Sequence, residues 1–208
     1  MLYWRCDLAN ANTSHPSPLG PHKPERGKAA TPSWRQRLSR RKLGLRQRFT
    51  HHAILMMKII SGGQTGADRA ALDAAIALDM PHGGWAPKGR KTEDGPLSRR
   101  YALHELPSPR YRDRTEKNIV AADATLLFSF GPLSGGSALT EALAIRHNRP
   151  CLHIDFELID DPKAAIMVEK WLHNLRPEVL NIAGTRASSE PRIYQAVYAL
   201  LTGLRWPR

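Results

Sequence analysis

Two glycine-rich turns contain the residues best suited to chemistry in this sequence. The first is Ser-Gly-Gly-Gln-Thr-Gly at residues 61–66, and the second is Gly-Pro-Leu-Ser-Gly-Gly-Ser at residues 131–137. Each follows an apolar, strand-like segment and precedes a run of helix-forming residues. Glycine lets the backbone approach an anion without Cβ clashes, and a helix N-terminus offers unpaired N–H groups and a partial positive charge. One such turn is weak evidence, but two at the ends of strands that look like neighbours in the sheet predict a shared, concave anion-binding site.

The predicted ligand-binding residues come from these turns and from neighbouring segments. The turns and the helix starts after them contribute Gly62, Gly63, Gln64, Thr65, Gly66, Asp68, Arg69, Ser134, Gly135, Gly136 and Ser137. The other segments contribute Trp85, Lys88, Arg114, Asn118 and Arg186. An arginine at the carboxyl end of a strand can bind phosphate through two parallel hydrogen bonds, and a tryptophan can stack on a planar ring. The alternative is that these residues have structural roles. The arginines and Lys88 would then be solvated surface charges, Asp68 would complement a helix N-terminus, and Trp85 would fill the core beneath its loop.

Several classes of catalytic and metal site find no support in the sequence. The first turn matches neither the G-x-G-x-x-G fingerprint nor a P-loop, so a dinucleotide or ATPase site is not predicted. The histidines are scattered, and no protein-ligated metal is predicted. No nucleophile-elbow or Ser-His-Asp spacing appears. The acids near the turns, which are Asp68, Asp73, Asp123 and Glu141, leave acid–base catalysis unspecified.

Alternating strand and helix patterns begin at residue 57 and place both turns after strands. Strands are predicted at residues 58–60, 101–106, 124–130, 151–154 and 179–182. Helices are predicted at residues 67–79, 112–122, 137–147, 162–175 and 190–204, with a loop at residues 82–97. Because the strand segments are nearly continuously apolar, they predict a parallel sheet that is covered on both faces. The expected fold class is α/β, a Rossmann-like parallel sheet flanked by helices on both faces, in which ligands bind at the carboxyl ends of the strands.

The net charge of +12 is concentrated in the first part of the chain. Residues 1–56 contribute +9 and are rich in proline and polar residues, which predicts a basic, Pro-rich, disordered extension. Residues 57–208 contribute +3 and form the predicted Rossmann-like domain. The basic segment is typical of nucleic-acid contact, of an acidic membrane surface or of a targeting peptide. The alternative is a solvated extension, or a start that precedes a natural one at Met56 or Met57.

Composition limits the class of protein further. A hydrophobic content of 41% in 208 residues is enough for a packed core, and no run of apolar residues is long enough to predict a membrane-spanning helix. The two cysteines, Cys6 and Cys151, cannot build a disulfide framework, which favours a reducing compartment. Because no apolar signal-peptide core lies near residue 1, we expect a cytoplasmic protein.

The order of the motifs resembles the putative molybdenum carrier family, whose members are SLOG-type Rossmann-like proteins. The resemblance covers residues 57–204, and the segments that carry it are residues 61–69, 83–85, 87–90, 93–95, 114–118, 134–137 and 181–186. It implies a compact α/β domain that holds a phosphorylated nucleotide or a pterin-type ligand in a groove between the two turns. The family name suggests the molybdenum cofactor (molybdopterin), an anionic pterin phosphate. Relatives commonly self-associate, so the resemblance also implies a homo-oligomer.

Related lysine-decarboxylase-like (LOG) enzymes cleave nucleoside monophosphates to a free base and ribose phosphate. They use Pro-Gly-Gly-x-Gly-Thr-x-x-Glu with an upstream arginine, which Arg114 could match. Here the second turn lacks the following Gly-Thr, and Glu141 falls one residue early.

Three functions therefore remain open. The leading one is carrier-type binding of a phosphorylated pterin or nucleotide, with no catalysis required. The second is a nucleotide N-glycosidase (phosphoribohydrolase), and the third is nucleic-acid binding through residues 1–56. The near-neutral charge of residues 57–208 makes the third the weakest.

Overall fold

Five parallel strands form the central sheet of the computed structural model, which describes residues 57–207. The strands in chain order are β1 (Lys58–Ile60), β2 (His82–Gly83), β3 (Trp85–Ala86), β4 (Lys91–Thr92), β5 (Gly95–Pro96), β6 (His104–Glu105), β7 (Ala124–Ser129), β8 (Cys151–Asp155) and β9 (Val179–Gly184). The helices are α1 (Ala67–Ala77), α2 (Tyr111–Ala121), α3 (Gly135–Arg146), α4 (Asp161–Leu175) and α5 (Ile193–Gly203). The predicted extension, residues 1–56, lies outside the described residues and stays a prediction.

The last strand of the chain lies in the middle of the sheet. The strand order is β2-β1-β9-β7-β8, and β9 pairs in parallel with β1 on one side and with β7 on the other. Asn181 of β9 is in register with both Ile60 and Thr125. The two glycine-rich turns follow β1 and β7, which the sequence suggested were neighbouring strands. That suggestion is wrong, because β9 separates them and brings the loop that follows it, with Arg186, between the two turns.

Helices cover both faces of the sheet, which confirms the predicted fold class. On one face α1, α4 and α5 pack against Ile59, Leu126 and Ile182, and the helix residues Ala71 and Val197 are fully buried there. The opposite face carries α2 and α3, which pack on each other through Ile119, Leu143 and Ala144. The small residues of α1 let this helix lie close to the sheet, because alanine adds only one carbon beyond the backbone.

The segment between α1 and α2 differs most from the sequence-based prediction. The predicted loop at residues 82–97 contains β2 to β5 and a short 3-10 helix, Lys88–Arg90. The strand predicted at residues 101–106 shrinks to β6, which pairs with β3 outside the main sheet. The Arg90 guanidinium explains this irregular path, because it donates hydrogen bonds to backbone carbonyls at four positions. The acceptors, at 2.9–3.0 Å, are those of Leu97, Ser98, Tyr101 and Leu103.

Helix ends shift by a few residues from the prediction. The first helix ends at Ala77 and the last begins at Ile193, just after Pro191 and Arg192. Within residues 57–207, none of the helices combines the length and the apolar character needed to span a bilayer.

We expect Gly184→Ala to lower the free energy of unfolding by about 1–3 kcal/mol, because a well-packed site must shift to accept the methyl group. A Cβ at Gly184 would overlap the carbonyl oxygen of Phe128 and lie 2.8 Å from the Cβ of Ala67. Gly203→Ala is the matched control, since nothing lies within 4 Å of a Cβ there. Urea denaturation followed by circular dichroism measures both, and equal stability of the two variants would contradict the expectation.

Candidate functional site

A narrow cavity lies between the two glycine-rich turns at the carboxyl edge of the sheet. Its volume is about 60 Å³. Its walls come from the first turn, the start of α2, the first turns of α3 and the end of β9. Of the residues predicted from sequence, Gln64, Asp68, Arg114, Gly136 and Arg186 line it. We call this space the inter-loop cavity.

A buried ion pair forms the floor of the site. The Arg114 Nη1 group of α2 donates to Asp68 Oδ2 of α1 at 2.9 Å, and the two side chains are 10% and 5% exposed. The pair therefore connects helices on opposite faces of the sheet. Burial raises the pKa of Asp68, and the positive charge of Arg114 opposes that shift. Gly62 provides the space for this pair, because any Cβ there would overlap the guanidinium of Arg114.

Two buried donors in this site have no hydrogen-bond partner among the described residues. They are the Gln64 Nε2 amide group and the Arg114 Nε group. Both residues line the inter-loop cavity, and Gln64 is only 4% exposed. Buried donors are almost always paired with protein, water or a ligand, because an unpaired one costs about 1–3 kcal/mol. Because both residues line the cavity, a ligand there is a candidate partner for these two donors.

The charge around the cavity is positive. Arg112 and Arg186 line it together with Arg114, and Asp68 is the one acid among the described lining residues. Arg186 is exposed and lies over the ring of Tyr111, 5.4 Å from its centroid. An exposed arginine held against an aromatic ring keeps its planar fork available for an anion.

The second turn meets the cavity through one glycine. Gly136 lines it, and a Cβ at this position would meet no atom within 4 Å. Ser137 is buried and caps α3, since its Oγ donates to the Ser134 carbonyl at 2.8 Å and accepts from the Ser134 N–H at 3.3 Å. Gly135 has a positive φ of 49° in the first helical turn. Ser134, Gly135 and Ser137 thus shape the helix start without lining the cavity.

The first turn separates the inter-loop cavity from a second, larger space. This outer cleft has a volume of about 560 Å³, and its lining includes Thr65, Gly66, Arg69, Asp73, Tyr101 and Tyr194. The hydroxyls of Tyr101 and Tyr194 donate to the two carboxylate oxygens of Asp73 at 2.9 and 2.8 Å. Its volume falls in the range of small-molecule pockets, whereas the inter-loop cavity is far smaller.

Two glycines of the first turn are required by its path. Gly63 has φ 72°, and a Cβ there would lie 2.5 Å from a Leu97 methyl carbon. Gly66 has φ 81°, and its Cβ would lie 2.5 Å from the Thr185 carbonyl oxygen. L-residues rarely adopt such φ values, so both positions need glycine for conformation.

Three of the predicted residues that lie outside the glycine-rich turns, Asn118, Trp85 and Lys88, line neither cavity. Asn118 is buried and holds the backbone of Trp85, accepting from its N–H at 3.0 Å and donating to its carbonyl at 3.1 Å. The Trp85 ring is half-buried beside His104, with Lys117 over it at 5.2 Å. Lys88 is exposed, and its backbone N–H donates to the Ser108 carbonyl. These positions shape the segment before α2.

Sequence reasoning missed several residues of the cavity wall. Tyr111, Arg112, Thr115 and Thr140 all line it. Tyr111 lies three residues before Arg114 and four before Thr115, so helical spacing in α2 was a usable signal for Tyr111. Glu141, the acid considered for catalysis, lines neither cavity. Within residues 57–207, no three His, Cys, Asp or Glu side chains come together as metal ligands would.

Comparison with known proteins gives consistent results. The model of the circularly permutated YpsA SLOG family matches residues 59–204. A crystal structure at 1.45 Å resolution of a "Putative molybdenum carrier protein" from Syntrophus aciditrophicus SB is 52% identical, with a TM-score of 0.69. The match covers 71% of this chain and 93% of that protein. None of the curated proteins matches the chain.

We expect Arg114→Met to lower the free energy of unfolding by about 3–5 kcal/mol, because it leaves the buried Asp68 carboxylate without its counter-charge. Arg205→Met is the matched control, since Arg205 is 88% exposed in its pair with Glu169 and exposed pairs contribute little. The double variant with Asp68→Asn should be less destabilised than Arg114→Met alone, because no uncompensated charge remains. Urea denaturation measures all three. A double variant less stable than Arg114→Met would contradict this account of the pair.

Proposed function

The chain belongs to the circularly permutated YpsA SLOG family, and from that premise we propose that it binds a phosphorylated small molecule whose phosphate enters the inter-loop cavity. The resemblance to putative molybdenum carrier proteins, which the motifs suggested, is confirmed by the relative that is 52% identical. Family membership supports ligand binding in general terms. The identity of the ligand is the proposal.

The observation that carries the proposal is the pair of buried, unpartnered donors, Gln64 Nε2 and Arg114 Nε. A phosphate oxygen that accepts from both would remove the cost of burying them unpaired. Arg112 and Arg186, which line the same cavity, add the positive field that a phosphate group requires. Gly136 leaves room for the close approach of such a group to the start of α3, where backbone N–H groups favour anions.

The two ligand classes that fit this site are a pterin phosphate, as in the molybdenum cofactor, and a nucleotide. Both end in a phosphate, which suits the donors and the three arginines of the cavity. When bound, the molybdenum cofactor supplies redox chemistry at its metal. The protein residues that would hold it are Gln64, Arg114 and Arg186, whose side chains line the cavity proposed for the phosphate. Because the cavity is only about 60 Å³, the ring system of either ligand lies beyond it.

Binding is proposed in preference to hydrolysis. The phosphoribohydrolase alternative depends on a catalytic carboxylate, for which Glu141 was the candidate. Glu141 lies near the half-buried Cys151 and His153 instead. Burial raises the pKa of Cys151 to about 12, and the Glu141 charge adds to that shift. Burial lowers the pKa of His153, and the Glu141 charge opposes that shift. The carboxylate that does line the cavity, Asp68, is engaged by Arg114 at 2.9 Å. Nucleic-acid binding through residues 1–56 concerns a segment outside the described residues.

We expect Gly136→Val to abolish retention of the ligand while leaving the fold intact. A Cβ at Gly136 would meet no atom within 4 Å, so the valine side chain would extend into this open space along the cavity wall. Native mass spectrometry with molybdenum analysis on the gently purified full chain measures the retained ligand, and titration with AMP measures affinity for a nucleotide.

Gly203→Val is the matched control, because a Cβ at Gly203 also meets no atom within 4 Å and Gly203 lies at the end of α5. Circular dichroism and thermal melting check the fold of both variants. A Gly136→Val protein that retains the wild-type ligand to the wild-type extent contradicts the proposal. So does a wild-type protein that carries no phosphorylated molecule and binds no AMP.

A further inference from the structure

The orientation of the Gln64 side-chain amide is fixed by two backbone donors. Its Oε1 accepts from the N–H of Thr65 at 3.0 Å and from the N–H of Glu93 at 2.9 Å. A rotation that exchanged the oxygen and nitrogen would place an NH₂ group against two N–H groups, so this assignment is well determined. The Nε2 group therefore remains as the buried, unpartnered donor of a residue that lines the inter-loop cavity.

Glu93 is held in place by the loops on either side. It lies at the tip of the hairpin formed by β4 and β5, residues 91–96. Its carboxylate accepts from the Thr65 hydroxyl, from the Ser188 hydroxyl at 2.6 Å and from the Ser188 N–H at 3.2 Å. These bonds attach the hairpin to the first turn and to the loop after β9, so the Glu93 N–H stays opposite Gln64.

The second unpartnered donor is restricted in a similar way. The Nη1 group of Arg114 is occupied by Asp68, and its Nε group has no partner among the described residues. The Asp68 oxygen that accepts from Arg114 also accepts from the Gln64 backbone N–H at 3.4 Å. The corner between Gln64 and Arg114 therefore holds two donors for which none of the described residues supplies an acceptor.

Resting on the proposed function, we infer that Gln64 restricts this corner to a fully deprotonated oxyanion, and that Glu93 is the positioning residue that aims its amide. A group that offers only acceptors satisfies both Nε2 and Nε. A group that still carries an O–H has one unprotonated oxygen fewer, so it pairs both donors only in orientations that turn the O–H away from them. The ligand class is thus the unprotonated phosphate ester, with a sulfate ester as its closest chemical equivalent.

Methyl phosphate and methyl sulfate at pH 5 test this selectivity in the full-length protein. Below the second phosphate pKa of about 6, both esters carry one negative charge, and they differ by one O–H group. Because both probes are measured at the same pH, the charged groups around this corner act on both in the same way. These groups are Asp68, Glu93, Arg112, Arg114 and Arg186. The wild-type protein should bind methyl sulfate roughly tenfold more tightly than methyl phosphate.

Gln64→Met keeps the approximate shape of the side chain and removes both the Nε2 donor and the Oε1 acceptor, so it should abolish that preference. Gln64→Glu keeps the acceptor for Thr65 and Glu93 and serves as a second variant if the first is unstable. With a carboxylate at the cavity it should weaken methyl sulfate binding roughly tenfold or more. Gln195→Met, at an exposed position of α5, is the control and should leave both affinities unchanged.

The role of Glu93 is tested by a double-mutant cycle. Glu93→Ala should reduce the preference for methyl sulfate, whereas Asp94→Ala should preserve it, because Asp94 pairs with Arg69 at 3.1 Å and makes no bond to Gln64. In the Gln64→Met background, Glu93→Ala should have no further effect on the ratio of the two affinities. A further loss there would show that Glu93 does not act through Gln64.

The outcomes separate this inference from the proposed function. If Gly136→Val loses its ligand but Gln64→Met keeps the wild-type preference between the two esters, the role of Gln64 is overturned and the proposed function stands. If the wild-type protein binds both esters equally, the selectivity is overturned. If it binds neither ester, the selectivity is overturned, and the AMP titration and the retained ligand decide the proposed function separately.

Discussion

The rest of the site depends on the ion pair between Arg114 and Asp68, which is buried at the edge of the sheet. Burying two charges has a desolvation penalty of several kcal/mol for each ion, and only close approach with further hydrogen bonds offsets it. That requirement explains why residue 62 is a glycine, since any side chain would occupy the place of the guanidinium. The pair engages the Nη1 group of Arg114, and the Nε group has no partner among the described residues. The pair thus holds two helices together and leaves part of a buried cation unused.

The hairpin of β4 and β5 adds a second constraint, which concerns orientation. A glutamine at a cavity wall can present either its oxygen or its nitrogen, and these choices favour opposite ligands. In this protein the backbone N–H groups of Thr65 and Glu93 both point at the oxygen, so the nitrogen faces away. The hairpin contacts the buried amide through the main-chain N–H of Glu93, and the Glu93 carboxylate holds that N–H in place through its bonds to Thr65 and Ser188. That arrangement depends on the path of the backbone, and the identity of the side chains in the hairpin affects it indirectly.

The sequence predicted the fold class and much of the site, because both follow from local patterns. The continuous apolar run at residues 124–129 is a buried strand, and glycine-rich turns after strands lead to a ligand edge. Gln64, Asp68, Arg114, Gly136 and Arg186, all expected at the site, do line one cavity. The contact between Asp68 and Arg114 was not predicted, since it joins residues 46 positions apart on two helices. Strand order was missed for the same reason, because nothing local in residues 179–184 places that strand in the centre. Asn118 was expected to contact the ligand, but both groups of its side-chain amide hydrogen-bond to the backbone of Trp85.

Because β9 is the central strand and the last strand to be synthesised, the sheet can be completed only late in translation. A ribosome releases β1 and its turn early and β7 and its turn later, yet neither has its inner neighbour until residues 179–184 have been synthesised. Before then the nascent chain holds two half-sheets, β1 with β2 and β7 with β8, with unpaired inner edges that are open to wrong partners. Insertion of β9 joins the halves in one late step of high sequence separation, and such steps are slow. The binding edge is therefore assembled last, and a chain released prematurely before residue 179 lacks the strand that joins its two halves.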